Sequence, residues 1–479
     1  MLSSLFGEVQ AQNKTVKVEK PNIIFILADD LGWGDVGFNG NKIIKTPHLD
    51  AMAQNGLRFD RFYSSSPVCS STRGSCITGR HPYRYGIWKA NEGHMRIEEI
   101  TIAEVLKDQG YTTGLFGKWH LGTLDSLYSG KNGRNSERNY STPGMNGFDE
   151  WFATEYSVHT WNPGMYGHEK NTANPYVHNG KVVNNNIEGC DSQVLMDRAI
   201  PFIRQAALND TPFLAVIWFH APHGPVIAGP EFLKMYQAFD EGEQHYYGVV
   251  TALDVQVGRL RKELRDLGIE SNTMLWFASD NGPEGDTGGK GRHRGSTGGL
   301  HGRKRSLWEG GIRVPALIEW PGHIKAGTTT DIPCSTLDYF PTLVDLFGFK
   351  LKHKPKPIDG ISLTSLLKGE MKERSVPIPF ETMGGYGYRR SRGSPKMAIV
   401  DNRYKLLTDL DQSSDLLFDL LRDRGETMNI ASHHPDIVKS MKKELVNFRE
   451  SCIKSAAGND YDTHFVPDIY DVNPNIFDY

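Results

Sequence analysis

The chain has 479 residues, 38% of them hydrophobic and 23% charged, with a formal net charge of −3. This composition excludes a disordered or fibrous protein, and the charge excludes a bulk electrostatic attraction for nucleic acid. Five scattered cysteines (Cys69, Cys76, Cys190, Cys334 and Cys452) make no disulfide framework, and no C-x-x-C zinc pattern or membrane-spanning apolar run occurs.

Residues 1–20 read as a disordered tail or the remnant of an export signal, with no intact hydrophobic region. Pro21–Asp30, PNIIFILADD, is a nearly continuous apolar run ending in two carboxylates, which predicts a strand buried on both faces. Thr46-Pro47 starts a short helix that Gly56 stops. Cys69–Arg80, CSSTRGSCITGR, sets a cysteine four residues before an arginine at a predicted helix start. Backbone N–H groups and the guanidinium would there face an oxyanion together. Thr101 and Glu104 form a capping box, and Tyr111–Gly122 predicts a strand breaking into a loop with Lys118 and His120. From about Asp125 to Cys190 periodicity disappears, which predicts a functional insertion.

Thr211–Pro225, TPFLAVIWFHAPHGP, is the next buried strand and ends at His220 and His223. Val250, Leu253, Val257, Leu260, Leu264 and Leu267 recur at helical spacing, predicting an amphipathic helix over roughly Gln244–Leu267. Thr273–Gly282 is a further strand, ending in Asp280 and Asn281, and a glycine- and arginine-rich loop follows to Arg305. Past residue 372 come short strands and a late helix over about Pro435–Phe448. The expected fold is α/β, a large, mostly parallel sheet in residues 21–372 between helices. Residues 373–479 are expected to form a smaller α+β domain with a short antiparallel sheet and a helix.

At least four apolar runs therefore end in chemical groups: Asp29-Asp30, Lys118/His120, His220/His223 and Asp280-Asn281. Ligands of open α/β sheets bind at the carboxyl ends of strands, so the four endings predict one shared site. Asp29, Asp30, Asp280 and Asn281 are hard oxygen donors and favour Ca²⁺ or Mg²⁺ over zinc. In an extended segment Lys118 and His120 point the same way, one suited to neutralise an oxyanion and the other to move a proton. Taken singly, an Asp-Asp pair also fits a loop turn, and each histidine a satisfied structural role. The loop Gly288–Ser306 reads either as a solvated loop or as a positive rim for an anionic substrate.

These residues resemble the type I sulfatases of the alkaline-phosphatase superfamily, whose signature C-x-P-S-R-x-x-x-L-T-G-R stands here as CSSTRGSCITGR. Further matches are ILADDLGWGD, GKWHLG, the histidine of PHGP, SDNGP and GRKRSLWEGGIRVPALIEWPG, in the family's order over Pro21–Gly369. The resemblance implies that Cys69 is oxidised to Cα-formylglycine, whose hydrate is the nucleophile and forms a covalent sulfate ester. It implies that Asp29, Asp30, Asp280 and Asn281, with modified Cys69 nearby, hold a divalent cation, usually Ca²⁺. It casts Arg73, Lys118 and Lys304 as sulfate ligands, His120 as the group assisting breakdown of the intermediate, and His223 as the acid for the leaving alcohol. His220 ranks behind His223 as a substrate ligand. Ser71 stands where the signature has proline and Thr72 where it has Ser or Ala. Cys76 reads as structural.

In the insertion, Trp151, Trp161, Tyr156, His159 and Asn162 suit stacking on sugars and bonding their hydroxyls, although the tryptophans equally suit a buried core. Arg292, His293 and Arg294, with Arg389, Arg390 and Arg392, are candidates for further anionic groups of the substrate. The expectation is a sulfatase acting on a sulfated polysaccharide or oligosaccharide, matured by a sulfatase-maturating enzyme and exported to the periplasm or medium. A phosphoester or phosphonate-ester hydrolase of the same superfamily and a non-catalytic carbohydrate-binding relative are the alternatives.

Overall fold

The computed structural model describes residues 20–126, 139–166, 169–285, 294–351, 357–382, 394–410 and 414–461. Most of the tail, residues 1–19, lies outside them, as do Arg292, His293, Arg389, Arg390 and Arg392.

The core is an 11-stranded mixed sheet. Its strands are β1 (Asn22–Ala28), β2 (Leu57–Tyr63), β3 (Thr112–Lys118), β4 (Glu150–Thr154), and, after a small hairpin β5 (Met165–Tyr166) and β6 (Glu169–Lys170), β7 (Tyr176–His178) and β8 (Lys181–Val183). β9 (Phe213–Trp218), β10 (Thr273–Ser279), β11 (Arg313–Glu319), β12 (Thr328–Thr330) and β13 (Cys334–Ser335) complete it. The order is β12-β2-β11-β10-β1-β9-β3-β4-β7-β8, with β13 also beside β2. The central run β10-β1-β9-β3-β4 is parallel throughout. Every residue of β1, β9 and β10 is buried, which explains why these strands read as continuous apolar runs.

Alternate side chains of β1 serve two cores. Ile23, Phe25 and Leu27 face the helices Ile102–Asp108 and Tyr339–Leu346, while Ile24, Ile26 and Ala28 face Pro47–Asn55, Asp191–Leu208 and Glu241–Asp266. The last of these helices starts three residues earlier than its apolar spacing predicts. Asp240 and Glu243 cap each other's backbone N–H groups there, a polar signal that apolar periodicity does not carry.

The segment expected as a functional insertion carries strands that its lost periodicity did not show. Within residues 139–190 the chain adds β4, β7 and β8 to the main sheet. These strands are only five, three and three residues long, too short to show a period of two. Trp151 lies in the core, so its filler reading holds.

A separate antiparallel sheet follows: β14 (Ile378–Glu381), β15 (Met397–Val400), β16 (Tyr404–Thr408) and β17 (Leu416–Asp419). One face lies against Tyr63, Leu307, Trp308, Ile312 and Leu337, and the other against the helix Pro435–Ala456. The late helix thus runs eight residues beyond the predicted end.

Candidate active site

The parallel strands end side by side and carry their polar residues to one edge. Asp29 and Asp30 follow β1, Lys118 closes β3, and Asp280 and Asn281 follow β10. Backbone bonds tie the ends together: Asp29 N–H donates to Ala221 O (3.0 Å) and Asp280 N–H to Ala28 O (3.0 Å). Gly117, beside Lys118, permits the close approach of β3 to β9, since a Cβ there would stand 1.9 Å from Trp218 O. Asp30, Asn91 and His120 adopt left-handed φ values of 69°, 65° and 59°, a strained backbone of the kind that clusters at functional sites.

The helix Cys69–Thr78 brings its first turn onto this edge. Cys69 is buried, with Sγ 3.4 Å from His120 Nδ1. Arg73, fully buried, donates from Nη2 to Asp280 Oδ2 (2.6 Å) and from Nη1 to Lys118 O (3.1 Å), with its guanidinium over the Trp218 ring. Lys118 Nζ donates to Asp29 Oδ2 (2.7 Å), and Lys304 Nζ donates to Asp30 Oδ1. Asn281 Nδ2 also donates to Asp30 Oδ1 (2.7 Å). His223 donates from Nδ1 to Gly224 O (2.7 Å), which leaves Nε2 facing Asp30 Oδ2 at 3.8 Å.

Burial raises the energy of every charge here, and the cluster answers with opposed signs. Burial works against ionisation of Asp29, yet Lys118, His223, Arg73 and Lys304 outweigh it and hold this carboxyl well below the usual range. Burial, and then the charge of Asp29, push Asp280 up to about 7 against Arg73 and Lys118. For Lys304, burial is outweighed by Asp30, Cys69 and Glu284 together, which raise its pKa and keep the ammonium charged. Cys76 is a bystander in the core, its thiol pushed up by burial.

The donor set fits a hard divalent cation. Ligand atoms of Asp29, Cys69 and Asp280 lie within 4.8 Å of one another, as do those of Asp29, Asp30 and His223. Asp29 Oδ1 and Asn281 Oδ1 are buried without a hydrogen-bond donor. Such oxygens are expensive to leave bare and are the atoms a cation would take.

Several expected ligands stand elsewhere. His220 is fully buried with Nε2 against Thr154 Oγ1 (2.7 Å) and Nδ1 against Asp191 Oδ2 (3.0 Å), so both nitrogens are already engaged within the protein and its ranking as a substrate ligand is corrected. Arg294 pairs with Asp240 (2.8 Å), the cap of helix Glu241–Asp266. Trp161 is half-buried with its ring against Gly229. Three contributors carried no sequence signal. Ser157 Oγ donates to Asp29 Oδ2 (2.9 Å), Asn91 Oδ1 meets His120 Nε2 (2.5 Å), and Asn174 Nδ2 holds the Tyr156 and Ser157 carbonyls.

An α/β sheet that gathers a cysteine, cations and oxygen donors at one strand edge is the arrangement of the alkaline-phosphatase superfamily. Residues 21–349 match the Sulfatase family model, and residues 299–451 match the model described as N-sulphoglucosamine sulphohydrolase, C-terminal. Mouse N-acetylgalactosamine-6-sulfatase is 32% identical over 410 residues, 81% of this chain and 72% of that one. Rat arylsulfatase G is 33% identical over 405 residues, 77% of this chain and 71% of its own. The crystal structure of Ps i-CgsB in complex with k-i-k-neocarrahexaose superposes with a TM-score of 0.77 at 29% identity, covering 96% of this chain and 99% of that one. The chain belongs to the sulfatase family and is a sulfuric ester hydrolase.

Proposed function

We propose that the enzyme removes sulfate from a sulfated poly- or oligosaccharide, using Cys69 converted to Cα-formylglycine by a maturating enzyme, beside Ca²⁺ or Mg²⁺. The observation that carries this reading is Cys69 at a helix start, 3.4 Å from His120, in a cluster with two donorless buried oxygens. The glycan reading is supported by one relative named N-acetylgalactosamine-6-sulfatase and by a structural neighbour solved with k-i-k-neocarrahexaose. A glycan substrate also favours action in the periplasm or outside the cell, and among the described residues no helix is long and apolar enough to cross a membrane.

Asp29, Asp30, Asp280 and Asn281 would hold the cation, which supplies positive charge against the sulfate oxygens. A formylglycine hydrate at position 69 would supply a nucleophilic hydroxyl and a second hydroxyl whose proton can be removed. Arg73, Lys118 and Lys304 balance Asp29, Asp30 and Asp280 in charge, so added positive charge leaves the pocket attractive to an anion. With Nε2–H donated to Asn91 Oδ1, His120 keeps Nδ1 as an acceptor and can take a proton from residue 69. His223, with Nδ1–H spent on Gly224 O, turns Nε2 toward Asp30 and is the group placed to give a proton to the leaving alcohol.

The test is sulfate release by matured enzyme from sulfated galactans, ulvan and glycosaminoglycans, beside aryl sulfates and matched phosphate esters. Release from at least one glycan class and weak phosphate turnover are expected. Release from aryl esters alone would remove the glycan assignment, and faster phosphate turnover would favour the phosphoester alternative.

A further inference from the structure

We propose that His220 is a positioning residue: through a buried brace it holds His223 in place and touches no substrate itself. The proposal rests on the reading of His223 as the acid for the leaving alcohol.

The brace spans three elements. His220 Nδ1–H donates to Asp191 Oδ2 (3.0 Å), at the first residue of helix Asp191–Leu208. Tyr176 OH donates to the other oxygen of Asp191 and so brings in β7. His220 Nε2 meets Thr154 Oγ1 (2.7 Å), at the last residue of β4. Thr154 is in register with Lys118, and its carbonyl accepts from Trp119 N–H (2.9 Å). The ring is thus fastened on one side to the strand end beside Lys118.

Its own backbone makes the other connection. His223 N–H donates to His220 O (2.8 Å) and closes the turn that carries the acid, while the next carbonyl, Ala221 O, accepts from Asp29 N–H. After Phe219 this segment has left the sheet, and the side-chain bonds of His220 add to these backbone bonds in setting its orientation. A buried imidazole with both nitrogens bonded has a single ring orientation, which an apolar filler would not impose. His220, Asp191 and Tyr176 are all almost completely buried, so the brace is closed to bulk solvent.

A positioning role for the acid predicts a dependence on the leaving group, because a good leaving group needs no proton. Matured enzyme is assayed on phenyl sulfate and on 4-nitrophenyl sulfate, whose phenol is far more acidic. Thr154→Val and His220→Ala should slow phenyl sulfate turnover by about 10- to 100-fold and 4-nitrophenyl sulfate by less than about threefold, with KM little changed. His220→Asn, which keeps a donor near the position of Nδ1, should recover part of the loss. His223→Ala should give the same selectivity more strongly. If His220→Ala fails to fold, the near-isosteric Thr154→Val decides. Equal losses on both esters would mean general loosening and would overturn the proposal. If His223→Ala itself shows no selectivity, the acid assignment fails and the brace falls with it. If His223→Ala is selective and the brace variants are not, the brace alone is wrong.

Discussion

Two buried ionic clusters in this molecule invite comparison. The first is the strand-edge cluster around Asp29. The second joins the two sheets, where Lys405 of β16 lies between Glu309 and Glu426. In the second cluster every carboxylate oxygen has a hydrogen-bond donor against it or, for Glu426 Oε1, a cation alone. Glu309 Oε1 accepts from Lys405 (3.0 Å), and its Oε2 from Tyr63 OH (3.0 Å) and Arg313 (3.3 Å). Glu426 Oε2 accepts from Glu309 N–H (2.7 Å), and its Oε1 lies 2.8 Å from Lys405. In the first cluster Asp29 Oδ1 and Asn281 Oδ1 have no donor, although cations crowd the same groups. Burial and charge alone do not separate a site from a structural lock. Between these two clusters the difference lies in the partners: the closed one joins two layers with every carboxylate oxygen against a donor or a cation, while the open one leaves two oxygens bare where the strand ends converge.

The sharpest way to break this contrast is to withdraw the cation. Chelation should lower sulfate release by about 100-fold or more, with recovery on adding Ca²⁺ or Mg²⁺. It should also lower the melting temperature, because a cation at 100 times its Kd stabilises the native state by about 2.7 kcal/mol. In Asp280→Asn the Ca²⁺-dependent part of the melting temperature should shrink or vanish. A chelator-insensitive melting curve together with unchanged activity would equate the two clusters.

Lys405→Met is the converse experiment. Removing the cation from the closed cluster strands two carboxylates and should cost about 3–5 kcal/mol in denaturant unfolding. The folded fraction should keep its kcat, since Lys405 has its partners in Glu309 and Glu426. A selective loss of kcat without loss of stability would contradict a purely structural role.

The smallest effect concerns Glu381, a buried carboxylate at the end of β14, with Arg449 Nε 3.3 Å from Oε1. Burial pushes it up to about 7 against the pull of Arg449. The native state therefore keeps its proton to higher pH than the unfolded chain, so this stabilisation is complete below about 4.5 and is lost as pH rises through about 7. Glu381→Gln should flatten that slope, gaining up to about 3 kcal/mol at pH 8 relative to pH 4, at roughly 1.4 kcal/mol per unit. Parallel stability–pH curves for the two proteins would contradict it.

How much was legible in the sequence follows from length and locality. β1, β9 and β10 are long enough, and buried evenly enough, for a continuous apolar run to announce them together with the polar groups at their ends. β7 and β8 have three residues each and carry no period. Asp29, Lys118 and Asp280 adjoin strands and were visible as endings, whereas Lys304 lies in a loop and was visible only through its motif. Ser157, Asn91 and Thr154 reach the site or its brace through tertiary contacts alone, so no local pattern marks them. His220 misled for a related reason: a histidine at a strand end looks the same in sequence whether its ring turns outward to a ligand or inward to Asp191.

The central claim is that Cys69 is a precursor, and the mass of the tryptic peptide Phe62–Arg73 tests it most directly. In active enzyme from cells carrying the maturating system, the account predicts a peptide about 18 Da lighter than the cysteine form, the difference between a thiol and an aldehyde side chain. Ser71, where the signature has proline, makes the measured fraction informative about the maturating enzyme as well. A preparation that releases sulfate at full rate while this peptide retains an unmodified thiol would contradict the account.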